Sequence, residues 1–278
     1  MLFRSSSGAL VRHLSSAAPA RGPDQPPEWV DLVRTPDQLD KTAGMHRFVW
    51  DLRWSEPTQI PGAFYEGLAP WGPLALPGTY TIKITADGKS ETGKLELVND
   101  PRSKASDADI RASFDLQQRT RAVIDTLHVT VNQIRSTHAQ LVAVRERLAG
   151  SKELVAAIDA LDGKLKPIEE QLVQVKLASS EGMLRFPSML NERLDTFRQT
   201  IESDRAPTQA QLALFADFGK KVDAQAAAWK ALTTGDIPAL NKKIVSANIS
   251  LVDPSVPPPP PSMAGGGRAE PEHERERD

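Results

Sequence analysis

An apolar seam in the second half of the chain constrains the fold more than any other feature. Ile124, Leu127, Val131, Ile134, His138, Leu141, Arg145 and Leu148 follow one another at alternating intervals of three and four residues. After Gly150 and Ser151 the spacing resumes as Leu154, Ile158, Leu161, Leu165, Ile168, Leu172 and Val175. Each series is one narrow stripe of an α-helix, and two stripes across a short break predict an antiparallel pair. That pair would begin a helical bundle running from Pro101 to about Val252.

Local signals place the helix ends. Ser106 is the expected N-cap of the first helix, with Asp107 and Asp109 behind it, and Gly150 is its C-terminal stop. Ser151 should cap a second helix reaching about Leu177, with a kink or break at Pro167 near Lys166. A third helix follows Pro187, its core face Leu190, Leu194, Phe197 and Ile201. A fourth opens on the capping box Thr208-x-x-Gln211 and buries Leu212, Phe215, Val222, Ala226 and Trp229. Asp236 should cap a short fifth helix carrying Leu240 and Ile244.

The first hundred residues have another texture. Eleven of the 22 prolines lie at or before Pro101, together with four of the five tryptophans. That composition suits short strands and loops. Four strands are expected, at 8–14, 45–54, 78–85 and 94–98. In Met45–Trp54 the side chains of His46, Phe48, Trp50 and Leu52 would form one buried aromatic face, with Arg47, Asp51 and Arg53 a charge ladder on the other. Gly78–Thr85 turns Tyr80, Ile82 and Ile84 inward, and Asp87-Gly88 supplies the tight turn into a return strand with Leu95 and Leu97.

The expected fold is therefore α+β, a small Ig-like antiparallel β-domain (an incomplete sandwich) followed by an antiparallel helical bundle. Residues 1–43 would be an N-terminal strand and proline-rich loop, 44–101 the β-domain core, 102–252 the bundle and 253–278 a disordered Pro/Gly/charged tail. With so few strands, Phe48, Trp50, Tyr80, Ile82 and Leu95 need a cover, from the loops, the bundle or a separate protein partner.

The net charge of −2 gives no electrostatic reason to expect nucleic acid or an anionic membrane. The absence of cysteine removes disulfides, thiolate metal sites and cysteine nucleophiles. No apolar run approaches the roughly 20 residues of a membrane span. Residues 1–22 contain Arg4, Arg12, Arg21, five serines and no acid. This is the composition of a mitochondrial transit peptide, although Gly8–Leu14 also reads as a strand.

Two groups of segments resemble a known family. Gly8-Ala-Leu-Val-Arg-His-Leu-Ser-Ser, Gly44-Met-His-Arg-Phe-Val-Trp-Asp-Leu-Arg53, Leu76-Pro-Gly-Thr-Tyr-Thr-Ile-Lys-Ile-Thr85 with Asp87-Gly88, and Asp100-Pro-Arg102 form the first. Ser203-Asp204 with Pro207-Thr208, and Leu240-Asn241, form the second. Together they resemble the C-terminal region of bacterial sortilin-like, BNR-repeat proteins, labelled glycosyl hydrolases or exo-sialidase-like. The strand pattern is also similar to the Ig-like domain of flagellar hook-capping proteins. The BNR resemblance implies a β-propeller upstream of the Ig-like domain, a periplasmic or secreted location, and a propeller or other protein partner for the sheet face. It does not carry a hydrolase activity onto these residues. No Asp-box repeat (S-x-D-x-G-x-x-W) occurs, and the only tyrosines, Tyr65 and Tyr80, cannot be placed as a sialidase nucleophile.

No residues suggest a catalytic centre, a cofactor or a metal site. His13, His46, His128, His138 and His273 lack metal-ligand spacing, and His138 falls on the helical seam. Glu169 and Glu170 are adjacent and so face different sides of a helix. Gly265–Gly267 has neither the strand nor the Lys-Ser/Thr of a phosphate loop. The one grouping that suggests a ligand is Trp54, Phe64, Tyr65 and Trp71, loop aromatics able to stack on a sugar ring or receive a peptide, or else to close the end of the sheet. Pro257–Pro261 could dock an aromatic groove on another protein or be simple low-complexity tail. The expectation is a non-catalytic accessory or interaction module. The alternative is a fragment or subunit of a glycosyl hydrolase whose active site lies in an upstream propeller.

Overall fold

The computed structural model describes residues 1–17, 39–65, 69–245 and 249–258. The chain is α+β, with a four-stranded antiparallel sheet followed by helices. The strands are β1 (Leu2–Arg4), β2 (Leu10–His13), β3 (Gly78–Ala86) and β4 (Lys89–Leu97), in spatial order β2-β1-β3-β4. The helices are α1 (Asp107–Arg147), α2 (Lys152–Leu172), α3 (Leu190–Thr200), α4 (Gln209–Ala231) and α5 (Ile237–Ile244).

The β3–β4 hairpin follows from its turn. Asp87 and Gly88 both take positive φ, 49° and 76°, as a two-residue turn between twisted strands requires. Strand pairing puts Tyr80 opposite Leu95 and Ile82 opposite Gly93, leaving Thr79, Thr81, Lys83 and Thr85 on the polar face. Ile84, expected inward, is exposed, because the hairpin tip runs past the core. The transit-like segment contains two strands. β1 pairs with both β2 and β3, and Phe3, Val11 and Leu14 are buried with Tyr80.

Met45–Trp54 is not a strand. β3 already pairs with β1 on one side and β4 on the other, so no place in its ladder is free. The segment is further turned by Leu52 at φ 60°, by the Asp51 carboxylate accepting from Arg53 N, and by Trp50 Nε1 donating to Arg53 O. Its bridge, Arg53 to Leu74, lies outside the main sheet. The alternation nevertheless survives in part. Phe48 and Trp50 lie over the sheet against Phe3 and Tyr80, with the Trp50 ring 4.6 Å from that of Phe3. The apolar face is thus covered by the chain's own segment, while Met45, Val49 and Leu52 face solvent. The expected ladder of Arg47, Asp51 and Arg53 does not form, and Arg53 instead reaches Glu202 in the helical half.

In the helices the seam is the core. α1, 41 residues and so about 60 Å long, packs on α2, α3 and α4. Ile124, Leu127, Val131, Ile134, Leu141 and Leu148 are buried with Ile158, Leu161, Leu165, Ile168 and Leu172. His138 and Arg145 leave the seam and pair across it with Asp162 and Asp159. With Arg135–Glu169, these pairs step forward along α1 and backward along α2, which fixes the two helices as antiparallel. Val175, expected on the second stripe, is exposed beyond the end of α2.

Three helix boundaries differ from expectation. α2 ends at Leu172 but passes unbroken through Pro167. A proline ring crowds the carbonyl four residues earlier, and there Gly163 leaves the backbone free to tilt. Ser151 makes no side-chain cap bond. Asp236 does not cap α5, because a π-helical turn over Leu232–Asp236 carries α4 directly into it and Asp236 pairs with Lys164. Ser106 and Thr208 do cap, accepting from Asp109 N and Gln211 N respectively. Of the expected tail, Asp253 is held by Gln140 of α1. Residues 259–278, and 18–38 of the proline-rich loop, lie outside the described residues.

Candidate functional site

The two halves are joined by an extended strap, Ser55–Pro61, laid along α1. Extended backbone offers donors and acceptors that water cannot reach once packed, so each needs a partner. Ser55 N donates to Val11 O of the sheet, while Ser55 O accepts from Arg121 Nε of α1. A single residue therefore ties both halves together. Arg121 Nη2 then donates to Glu56 O at 3.2 Å, and Thr58 N donates to Asp125 Oδ1 at 2.7 Å. Thr58 O accepts from His128 Nδ1, Gln59 O from Asn132 Nδ2 at 2.8 Å, and Pro61 O from Arg135 Nη1 at 3.3 Å. Between these contacts Ile60 enters the helical core.

The five strap-holding residues, Arg121, Asp125, His128, Asn132 and Arg135, recur at intervals of four, three, four and three. They form a polar stripe beside the apolar seam, with the same period. In the sequence His128 is one of several histidines without metal-ligand spacing. The missed signal was this second stripe, whose members look like ordinary solvated residues until the strap lies on them.

Behind the strap His128 is fully buried. Its Nε2 lies 2.8 Å from Asn191 Oδ1 and 3.4 Å from the Tyr65 hydroxyl. Asn191 Nδ2 donates to Glu192 Oε1, and Glu192 Oε2 accepts from Met189 N at the start of α3. Burial holds the His128 pKa below 6.5, opposed by its bonds to Thr58 and Asn191 and by the charges of Asp125 and Asp195. Burial likewise pushes the Tyr65 hydroxyl well above its ordinary value. Both imidazole nitrogens are occupied by groups of the chain itself, so the ring positions the strap.

A second junction lies at the far end of the loop. Arg53 makes a bidentate pair with Glu202 at 3.0 and 2.6 Å, and Trp71 Nε1 donates to the same carboxylate at 2.9 Å. The Arg198 guanidinium carbon sits 3.9 Å from the Trp71 ring centroid, within cation–π range. Burial acts to raise the Glu202 carboxyl, but the bonds from Arg53 and Trp71 outweigh it and the pKa is lowered. Asp195 shows the opposite balance. Burial raises its carboxyl even with Arg198 against it.

The four loop aromatics do not converge on one exposed platform. Trp54 packs 5.7 Å from Phe114 of α1, Tyr65 is buried beside His128, Phe64 is half-buried, and Trp71 sits between Glu202 and Arg198. An open polar groove of about 510 Å³ lies elsewhere, lined by residues including Lys104, Asp109, Asp204 and Arg205. Among the described residues no three His, Asp or Glu side chains are grouped to hold a metal, and no helix is long and apolar enough to cross a membrane. Comparison with protein-family models, curated proteins and solved structures found no match.

Proposed function

We propose that this protein is a non-catalytic interaction module, an Ig-like β-domain fixed to a helical bundle. In this reading it resembles the C-terminal region of sortilin-like BNR-repeat proteins and seats a propeller or another protein partner. One observation carries the reading. The segment that covers the sheet with Phe48 and Trp50 turns Met45, Val49 and Leu52 outward, Met45 being fully exposed and Val49 71 % exposed. Apolar side chains on a segment anchored from beneath suit contact with a second surface. The strap supports this role, since it joins sheet and helices through hydrogen bonds at Ser55, Glu56, Thr58, Gln59 and Pro61.

The test has two arms. Any propeller encoded immediately upstream is purified separately and titrated with this chain. Binding is expected, and Met45→Asp with Val49→Asp should weaken it at least tenfold, about 1.4 kcal/mol, without changing the circular dichroism. The chain alone is also assayed against sialosides and other glycosides. Turnover by the isolated chain, or the absence of binding to the propeller, overturns the proposal.

A further inference from the structure

The two edges of the sheet are finished differently. Outside β2 the chain closes the ladder, with Ser55 N donating to Val11 O and Arg12 Nη1 donating to Trp54 O at 3.2 Å. Outside β4, among the described residues, no strand pairs along Lys89–Leu97. The two-residue turn makes Ala86 and Lys89 a hydrogen-bonded pair, so alternate residues from Lys89 onward bond to β3. The peptide groups of Ser90, Thr92, Lys94 and Glu96 therefore point away from the sheet. Such a row of open donors and acceptors is a template for another strand.

The side chains select which strand. Lys94 and Glu96 are exposed, face Thr81 and Thr79 across the hairpin, and make no ion pair among the described residues. When two copies of one strand pair antiparallel about a two-fold axis, one residue must lie opposite itself. Centred on Glu91 or Lys94, the pairing sets like charge on like. Centred on Gly93, it puts Glu91 beside Leu95 and Lys89 beside Leu97. Of the registers that overlap five or more residues of β4, only the one centred on Leu95 opposes unlike charges. It sets Lys94 against Glu96, twice by symmetry. Leu95, half-buried on the core face, then meets its own copy. Gly93, with nothing within 4 Å of where a Cβ would lie, faces Leu97 of the second copy.

We propose that β4 pairs antiparallel with β4 of a second copy of this chain, about a two-fold axis beside Leu95, joining two four-stranded sheets into one. Because Ser55 closes the β2 edge, association stops at the dimer. The overlap is short, so the dimer is weak. It uses neither Met45 nor Val49, and so forms whether or not that surface seats a partner.

Sedimentation equilibrium of the full chain through the micromolar to millimolar range tests this. The mass is expected to rise from 30.3 kDa and level off at twice that value. Lys94→Glu sets Glu against Glu twice, and Glu96→Lys sets Lys against Lys twice. Each variant should associate about tenfold more weakly, with its circular dichroism unchanged. An equimolar mixture of the two should recover the wild-type association, because every charge pair across the axis is then opposite in sign. Amide exchange at Lys94 and Glu96 should slow as the wild-type concentration rises, while that at Gly93 and Leu95, already bonded to β3, stays constant. A wild-type chain that remains at 30.3 kDa, growth beyond the dimer, or a mixture no tighter than its components overturns the proposal.

Discussion

Substitution of Ile60 by alanine tests whether the strap holds the two halves as one cooperative unit. Ile60 is 4 % exposed and is the side chain by which Ser55–Pro61 joins the helical core. Truncation to alanine removes three carbon atoms, or about 2.4 kcal/mol at roughly 0.8 kcal/mol for each buried methylene. A cavity term adds to this. The carbonyls on either side, of Gln59 and Pro61, are tied to Asn132 and Arg135, so the backbone cannot settle inward to fill the space. The expected loss is about 3 kcal/mol, a Tm lower by roughly 6 to 12 °C. Urea unfolding followed by two probes measures it. Tryptophan fluorescence reports mainly the sheet and strap, through Trp50, Trp54 and Trp71, whereas far-ultraviolet circular dichroism reports the helices. Both transitions should coincide in the wild type and shift together in the variant. A loss below about 1 kcal/mol, or a tryptophan transition that moves while the helices melt unchanged, would show that the strap does not hold the two halves as one unit.

Burial lowers the His128 pKa, so the unfolded chain binds a proton more readily than the folded one. Its contribution to stability is complete above pH 6.5 and is lost as the pH falls through the lowered value. The urea midpoint should therefore decline between about pH 7.5 and 5.5, and His128→Gln should flatten that decline. Asp125, Asp195, Glu192 and Tyr65 surround the ring, and an unchanged slope in the variant would assign the decline to other groups. At the other end of α1, Gln140 exchanges two hydrogen bonds with Asp253, and Asn241 two with Val252. Asn241→Leu should speed amide exchange at Val252 roughly tenfold by removing that pair, and an unaltered rate would show that the buried Val252 side chain alone holds the segment. A Cβ at Gly72 would fall against the main-chain carbonyls of Trp54 and Ser55, neither of which can rotate away. Gly72→Ala should cost about 2 kcal/mol or more in a melting experiment, and a neutral result would mean that the two backbone segments move apart freely to admit a methyl group.

Elements whose hydrogen bonds are local could be read from the residues alone. The helices follow from alternating intervals of three and four, because a helix satisfies its own backbone and needs only one apolar stripe to be placed. Ser106, Thr208 and Asp87-Gly88 could be read because a cap or a two-residue turn is completed within a few residues. The conformations of Met45–Trp54 and Ser55–Pro61 depend instead on packing between segments far apart in the chain. The alternation of Phe48 and Trp50 correctly marked a buried side, but no periodicity reveals that β3 is already paired along both edges. The strap is stabilised by side chains from 65 to 74 positions further along the chain, as the bonds from Arg121 and Arg135 show. Apart from Ser55 N on Val11 O and Ile60 O under Ala63 N, its backbone is met by side chains, chiefly those of α1, so it has no period of its own. The same physics hid Arg53–Glu202, 149 residues apart, and the unpartnered nitrogen of Arg198. Charge balance at such a place exists only after distant segments have been brought together.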